Sequence, residues 1–154
     1  MHPLRSGSAV AVAVLLGAAL GLGFFTLFHA EGLSYLSDDP RACANCHVMN
    51  EVFEGWQKGP HHAVATCNDC HVPHDFLGKW LSKGLNGFHH SKAFTLQDFH
   101  EPIQITRRNA EALQGSCLHC HGEFVHEVVA AQRAADDPVR CVHCHRGVGH
   151  GAAE

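Results

Sequence analysis

With 154 residues the chain can form one small domain, and a formal net charge of −4 with His neutral gives no electrostatic support to nucleic-acid binding. Eight Cys and 16 His point instead towards disulfides or metal chemistry, and their spacing decides between the two.

The first predicted element is a membrane-spanning helix. From Ala9 to Phe28 the chain carries no charged residue, and about 20 apolar residues rising ~1.5 Å each cross a ~30 Å hydrocarbon core. A cleaved signal peptide would have a shorter apolar stretch, and Phe28-His29-Ala30 is a poor cleavage site, so an uncleaved anchor over residues 1–30 is expected. Arg5 precedes the span, while Glu31, Asp38 and Asp39 follow it. The positive-inside rule then leaves the N-terminus in the cytoplasm and residues 31–154 on the periplasmic side of the inner membrane. Gly17 and Gly21 form a GxxxG that would let two anchors pack as a homo-dimer, although a span this rich in Gly and Ala produces that spacing by chance.

Beyond the anchor come CANCH (Cys43, Cys46, His47), CNDCH (Cys67, Cys70, His71), CLHCH (Cys117, Cys120, His121) and CVHCH (Cys141, Cys144, His145). Two CxxC pairs could build a four-cysteine zinc site, but zinc does not explain a His after all four pairs. Disulfides across two intervening residues would be tight and strained. CxxCH is the attachment signature of c-type haem, with two sulfurs added across the vinyl groups and the adjacent His facing iron. Four covalently bound haem c groups are therefore expected.

The spacing repeats. Cys43 to Cys67 and Cys117 to Cys141 are both 24 positions (67 − 43 and 141 − 117), and Asp38-Asp39-Pro40 is echoed by Asp136-Asp137-Pro138. This reads as a duplicated two-haem module. The expected fold is mainly α with much irregular structure: one N-terminal transmembrane helix plus a compact tetrahaem domain, with modules at about 38–90 and 110–150. Glu51 to Lys58 and Gly122 to Ala135 are helix-like, Pro138 stops the second, and Pro102 with the Gly-rich runs breaks the middle. No run alternates well enough to predict a strand.

Among the remaining histidines, His62 and His150 lie close to attachment motifs and could fill the far side of other haems, with His61 competing with His62. His119 and His143 sit inside their own CxxC loops, and His100 and His126 are weaker candidates. Met49 follows His47 by two positions, and Met1 is the only other methionine. A Met more often fills gaps in apolar packing. As an iron ligand, its thioether would raise the potential.

These residues together resemble the NapC/NirT tetrahaem quinol dehydrogenases, through the single anchor, four CxxCH motifs, CHxM at the first and CNDCHVPH after the second. The short length resembles the NrfH-type branch, the small membrane subunit of cytochrome c nitrite reductase. The resemblance implies Met49 as ligand of the first haem in place of His47, His71 with His150 on the second, His121 with His62 on the third, and His145 on the fourth. It implies Lys83 as a donor to a quinol oxygen, with Lys79 as the alternative. Where the family commonly has an Asp beside the first haem this chain has His90, which could accept a quinol proton or bind iron. The expected function is oxidation of menaquinol and relay of its electrons to a pentahaem, ammonium-forming nitrite reductase. The alternatives are a NapC-type relay to another periplasmic reductase and a generic tethered tetrahaem cytochrome that never meets quinone.

Overall fold

The structure is a computed structural model describing residues 3–133 and 140–151. The chain divides into two compact units, Met1–Ser34 and Tyr35–Glu154. The first is dominated by α1 (Pro3–His29). Within it, Gly7–His29 is the one helix among the described residues long and apolar enough to cross a membrane. Its large side chains point outwards all round, with Leu15, Leu20 and Phe24 each about 70% exposed. A helix apolar on every side and buried against nothing is suited to a lipid environment. Glu31, in the left-handed region at φ 48°, ends it.

The second unit is a set of helices with no strand among the described residues. α2 (Pro40–Cys43) starts at Asp39, whose carboxylate accepts from Arg41 N, with Pro40 at the first helical position. This is a favoured start signal, because proline has no N–H to leave unpaired. A 3-10 turn, His47–Met49, leads into α3 (Asn50–Lys58). α4 (Cys67–His71) is the second motif itself, held by a capping box in which Thr66 and Asp69 satisfy each other's backbone. α5 (Phe76–Leu96) is the longest helix of this unit, capped by Asp75 and stopped at Gln97 in the left-handed region. α6 (Arg107–His121) ends in the third motif, α7 (His126–Arg133) follows, and α8 (Cys141–Cys144) carries the fourth. α6 is the hub: α4 and α8 both pack on it.

The expected helix at Glu51–Lys58 lies within α3, and part of the expected Gly122–Ala135 helix is α7. Asp136-Asp137-Pro138 lies outside the described residues. The Gly-rich middle, expected to be broken, is instead the continuous α5, with Gly78, Gly84 and Gly87 inside it. The Asp75 cap and the hydrogen bonds that Lys83 makes to Ser37 O and Asp38 offset the glycine cost of roughly 1 kcal/mol each.

Candidate functional site

Each attachment motif sits where a helix end or short helix fixes both sulfurs on neighbouring turns. The first cysteines meet in pairs. The Cys67 thiol hydrogen-bonds that of Cys43, which drives Cys67 up and Cys43 down to about 7. Cys117 hydrogen-bonds Cys141 in the same way, while burial first and then the charges of Cys141 and Cys70 raise the Cys117 thiol. Cys70 lies within electrostatic reach of Cys120, so the second and third motifs also adjoin. The motifs thus follow one another in chain order. Gln114 secures the last link, taking Cys141 N on its Oε1 at 2.9 Å and directing Nε2 to Cys141 Sγ at 3.2 Å.

Two imidazole pairs face each other across the chain. His71 and His150 have ring centroids 5.9 Å apart and planes within 6°. His121 lies 6.0 Å from His61 at 86°. Two metal–imidazole bonds of ~2 Å plus the two half-rings span such a separation. Burial holds His71 and His150 below the ordinary imidazole value, keeping both neutral and able to donate a lone pair. Between the adjacent His61 and His62, it is His61 that faces His121. His61 Nδ1 lies 3.3 Å from Val148 O, and a carbonyl can only accept, so Nδ1 carries the proton and Nε2 is free. His62 is exposed and stands edge-on to Trp56, 4.7 Å between centroids.

The C-terminal segment reaches these positions through glycines. A Cβ at Gly55 would collide with the His150 carbonyl, and one at Gly59 would lie 2.8 Å from Gly149 O. Met49 is half-buried while His47 is exposed. His119 stacks on His74 at 4.1 Å. No described residue pairs with the His145 ring at a comparable separation.

Lys83 and His90 share one face of α5, being seven positions and about two turns apart. Lys83 is 6% exposed. Its Nζ donates to Asp38 Oδ1 at 2.7 Å and to Ser37 O at 2.8 Å, and lies 5.5 Å over the Trp80 ring. Lys79 donates to the other oxygen, Asp38 Oδ2, at 2.5 Å. Bonding by Lys79 and then Lys83 holds the Asp38 carboxyl down to about 2. His90 Nδ1 shares a hydrogen bond of 2.9 Å with Tyr35 OH. Desolvation and then His89 keep His90 below its ordinary value, and burial pushes Tyr35 up to about 12. The sequence names Lys83 and His90 as candidates but not Asp38 and Tyr35 as their partners, nor Gln114 as the partner of Cys141. Those contacts join residues 27 to 55 positions apart, and no local pattern announces them.

The donor chemistry fits haem c. Every described cysteine belongs to a CxxCH, and paired imidazoles stand at iron-bridging separations. The protein's own apolar core is slight. Only Val72 and Ala110 are buried hydrophobic residues among those described, while Phe88, Phe94 and Phe124 are well exposed. Porphyrin is a large apolar body able to occupy that role.

These features define a membrane-anchored c-type cytochrome, with covalently held haem as the working group of its second unit. The chain belongs to the NapC/NirT cytochrome c family, whose N-terminal region matches residues 5–111. It is 36% identical over 147 residues to the cytochrome c-type protein NrfH of Wolinella succinogenes, covering 90% of this chain and 83% of the relative. Against the cytochrome c nitrite reductase subunit NrfH of Nitratidesulfovibrio vulgaris the identity is 34% over 146 residues, with 95% and 87% covered. NapC of Escherichia coli K12 is 30% identical over 167 residues, with 92% and 82% covered. A chain in the crystal structure of the cytochrome c nitrite reductase NrfHA complex bound to the HQNO inhibitor aligns with a TM-score of 0.65 and 28% identity, over 99% of this chain and 93% of that one.

Proposed function

We propose that this protein is a single-pass quinol dehydrogenase of the inner membrane. It oxidises menaquinol and relays the electrons through four c-type haems, on the periplasmic side, to a pentahaem nitrite reductase. The observation that carries the reading is Lys83 and His90 on one face of α5, in a chain of this family with 36% identity to an NrfH. Met49 serves the first haem, His71 with His150 the second, His121 with His61 the third, and His145 the fourth, whose other ligand the partner subunit supplies. This assignment moves one expected ligand from His62 to His61, because His61 faces His121 and is oriented by Val148. The two pairs of attachment motifs are two dihaem modules, at about 38–90 and 110–150.

Haem c, when bound, takes up and passes on one electron at a time at its iron. The chain's own residues handle the rest. Menaquinol gives up two electrons and two protons as it becomes quinone. Lys83 has three donors, two of them engaged, and directs the third at a quinol oxygen. His90, neutral at physiological pH, takes the two leaving protons one after the other and releases each to the outer side. A second reading, delivery to another periplasmic reductase, is favoured by the 30% identity to NapC of Escherichia coli K12.

The test mixes the purified, haem-loaded full chain in detergent with a short-chain naphthoquinol and follows haem reduction. A pentahaem nitrite reductase and nitrite are then added. Rapid reduction, slowed in Lys83→Ala, followed by reoxidation and ammonium formation is expected. Haems reduced by dithionite but not by naphthoquinol would overturn the dehydrogenase assignment. Reduction without reoxidation by nitrite and its reductase would favour the second reading.

A further inference from the structure

Between the anchor and the first attachment motif, four residues turn back onto α5. The Tyr35 ring lies over Gly87, where an added Cβ would already stand 3.5 Å from the ring. From there its hydroxyl reaches His90 Nδ1 at 2.9 Å. Two residues on, Ser37 O takes one N–H of Lys83 at 2.8 Å and Asp38 Oδ1 takes another at 2.7 Å. Gly87 lies between Lys83 and His90 on the same helical face, so the segment runs along that face and grips each side chain in turn. Asn68, inside the second motif, donates to Ser37 O at 3.2 Å and Asp38 Oδ1 at 2.8 Å, which fixes the segment to α4 as well.

We propose that Tyr35–Asp38 is a positioning strap for the quinol site: Asp38 and Ser37 O aim the Lys83 ammonium, and Tyr35 sets the His90 ring. The inference rests on the quinol-dehydrogenase reading and adds the residues that make its site specific for a two-oxygen aromatic ligand. A lysine has four rotatable carbons, and only a fixed one can present its remaining N–H at a set distance from a proton acceptor two turns away. A carboxylate with one lysine on each oxygen is a rigid anchor for that purpose. Tyr35 orients His90 as a second group orients a catalytic base. Both are positioning residues, since they act through His90 and Lys83.

The experiment uses the haem-loaded full chain carrying Asp38→Asn, Asp38→Glu or Tyr35→Phe. Naphthoquinol-driven and dithionite-driven haem reduction are compared. In Asp38→Asn the quinol KM rises and kcat/KM falls about tenfold, the effect of losing a charge-assisted hydrogen bond. The dithionite rate and the absorption spectrum stay as in wild type. Asp38→Glu restores most of kcat/KM, which a purely structural role would not allow. Tyr35→Phe, lacking one oxygen atom, raises the quinol KM in the same assay and decides the matter should Asp38→Asn fail to load haem. An unchanged quinol KM in the variants that load haem overturns the proposal, as does an equal loss of both reactions. A wild-type protein that dithionite reduces and naphthoquinol does not would overturn the quinol reading itself, a different result.

Discussion

The two pairs of attachment motifs share one spacing and are held in opposite ways. In the first pair, Cys43 lies against Cys67, and the loop of the second motif is tied through Asn68 to Asp38, which also gathers Lys79 and Lys83. In the second pair, Cys117 lies against Cys141, and one neutral side chain, Gln114, does the tying with two hydrogen bonds. Equal cysteine geometry therefore needs no ions. The charges in the first pair stand beside the groups assigned to quinol, so their presence is explained by what must be aimed there. The pairs also complete each other. His150, beyond the fourth motif, faces His71 of the second, and His61, beyond the first, faces His121 of the third. Neither half holds its full set of paired imidazoles alone.

That exchange is the feature whose disruption should have the largest effect. His61→Ala removes the imidazole facing His121, and the third haem then turns from low-spin to high-spin, read by electron paramagnetic resonance of the oxidised protein. His62→Ala, although adjacent, removes an exposed ring that stands edge-on to Trp56, and it stays within about 0.5 kcal/mol of wild type with unchanged spin state. The reverse pattern would return the ligand role to His62 and leave the facing of His61 and His121 incidental.

A smaller effect is expected where the C-terminal segment crosses the first half. Gly55→Ala sets a methyl group against the His150 carbonyl in α3, where neither backbone yields easily. Overpacking of this kind costs about 1–3 kcal/mol, and it pushes His150 away from His71. Thermal unfolding followed at the haem band should show a lowered Tm together with a perturbed second-haem spectrum. A lowered Tm with an unperturbed spectrum would mean that the segment relaxes without carrying His150 with it.

How far the sequence reveals this arrangement depends on the reach of each interaction. The anchor and the four motifs are local patterns, complete within one stretch of chain, and they read directly. Pro40 behind Asp39, and Thr66 with Asp69, are caps complete within a few residues of chain, although the sequence reading did not single them out. α5 did not read, because its glycines argue against a helix and what holds it, the Lys83 bonds to Ser37 O and Asp38, comes from a segment about 45 positions away. The choice between His61 and His62 is invisible in a His-His pair. It depends on Val148, 87 positions away, taking the Nδ1 proton of one ring and not the other. Tyr35 and Asp38 could not be tied to α5 for the same reason, since their partners lie 55 and 45 positions along the chain.

The smallest effect tests the ionic side of the comparison. Asp38 has its carboxyl held down to about 2, by Lys79 first and Lys83 second, against an ordinary value of 3.8. A depressed carboxyl pKa means that the unfolded chain binds the proton more readily. The stabilisation is thus fully present above pH 3.8 and disappears as the pH falls through about 2. Asp38 is half-exposed, so solvent screening limits its contribution to about 1 kcal/mol or less. Acid unfolding of wild type and Asp38→Asn should differ by that constant amount above pH 3.8, and the two curves should converge near pH 2. Gln114→Ala is the control from the other half. Its cost, about 1–3 kcal/mol for leaving a part-buried N–H unpaired, carries no charge and so should not change across the same window. If both variants converged with wild type at low pH, acid would be loosening the whole domain. If only Asp38→Asn converged, the ions would be confined to the half to which the proposed function assigns quinol, and the matching spacing of the two halves would conceal two different kinds of joint.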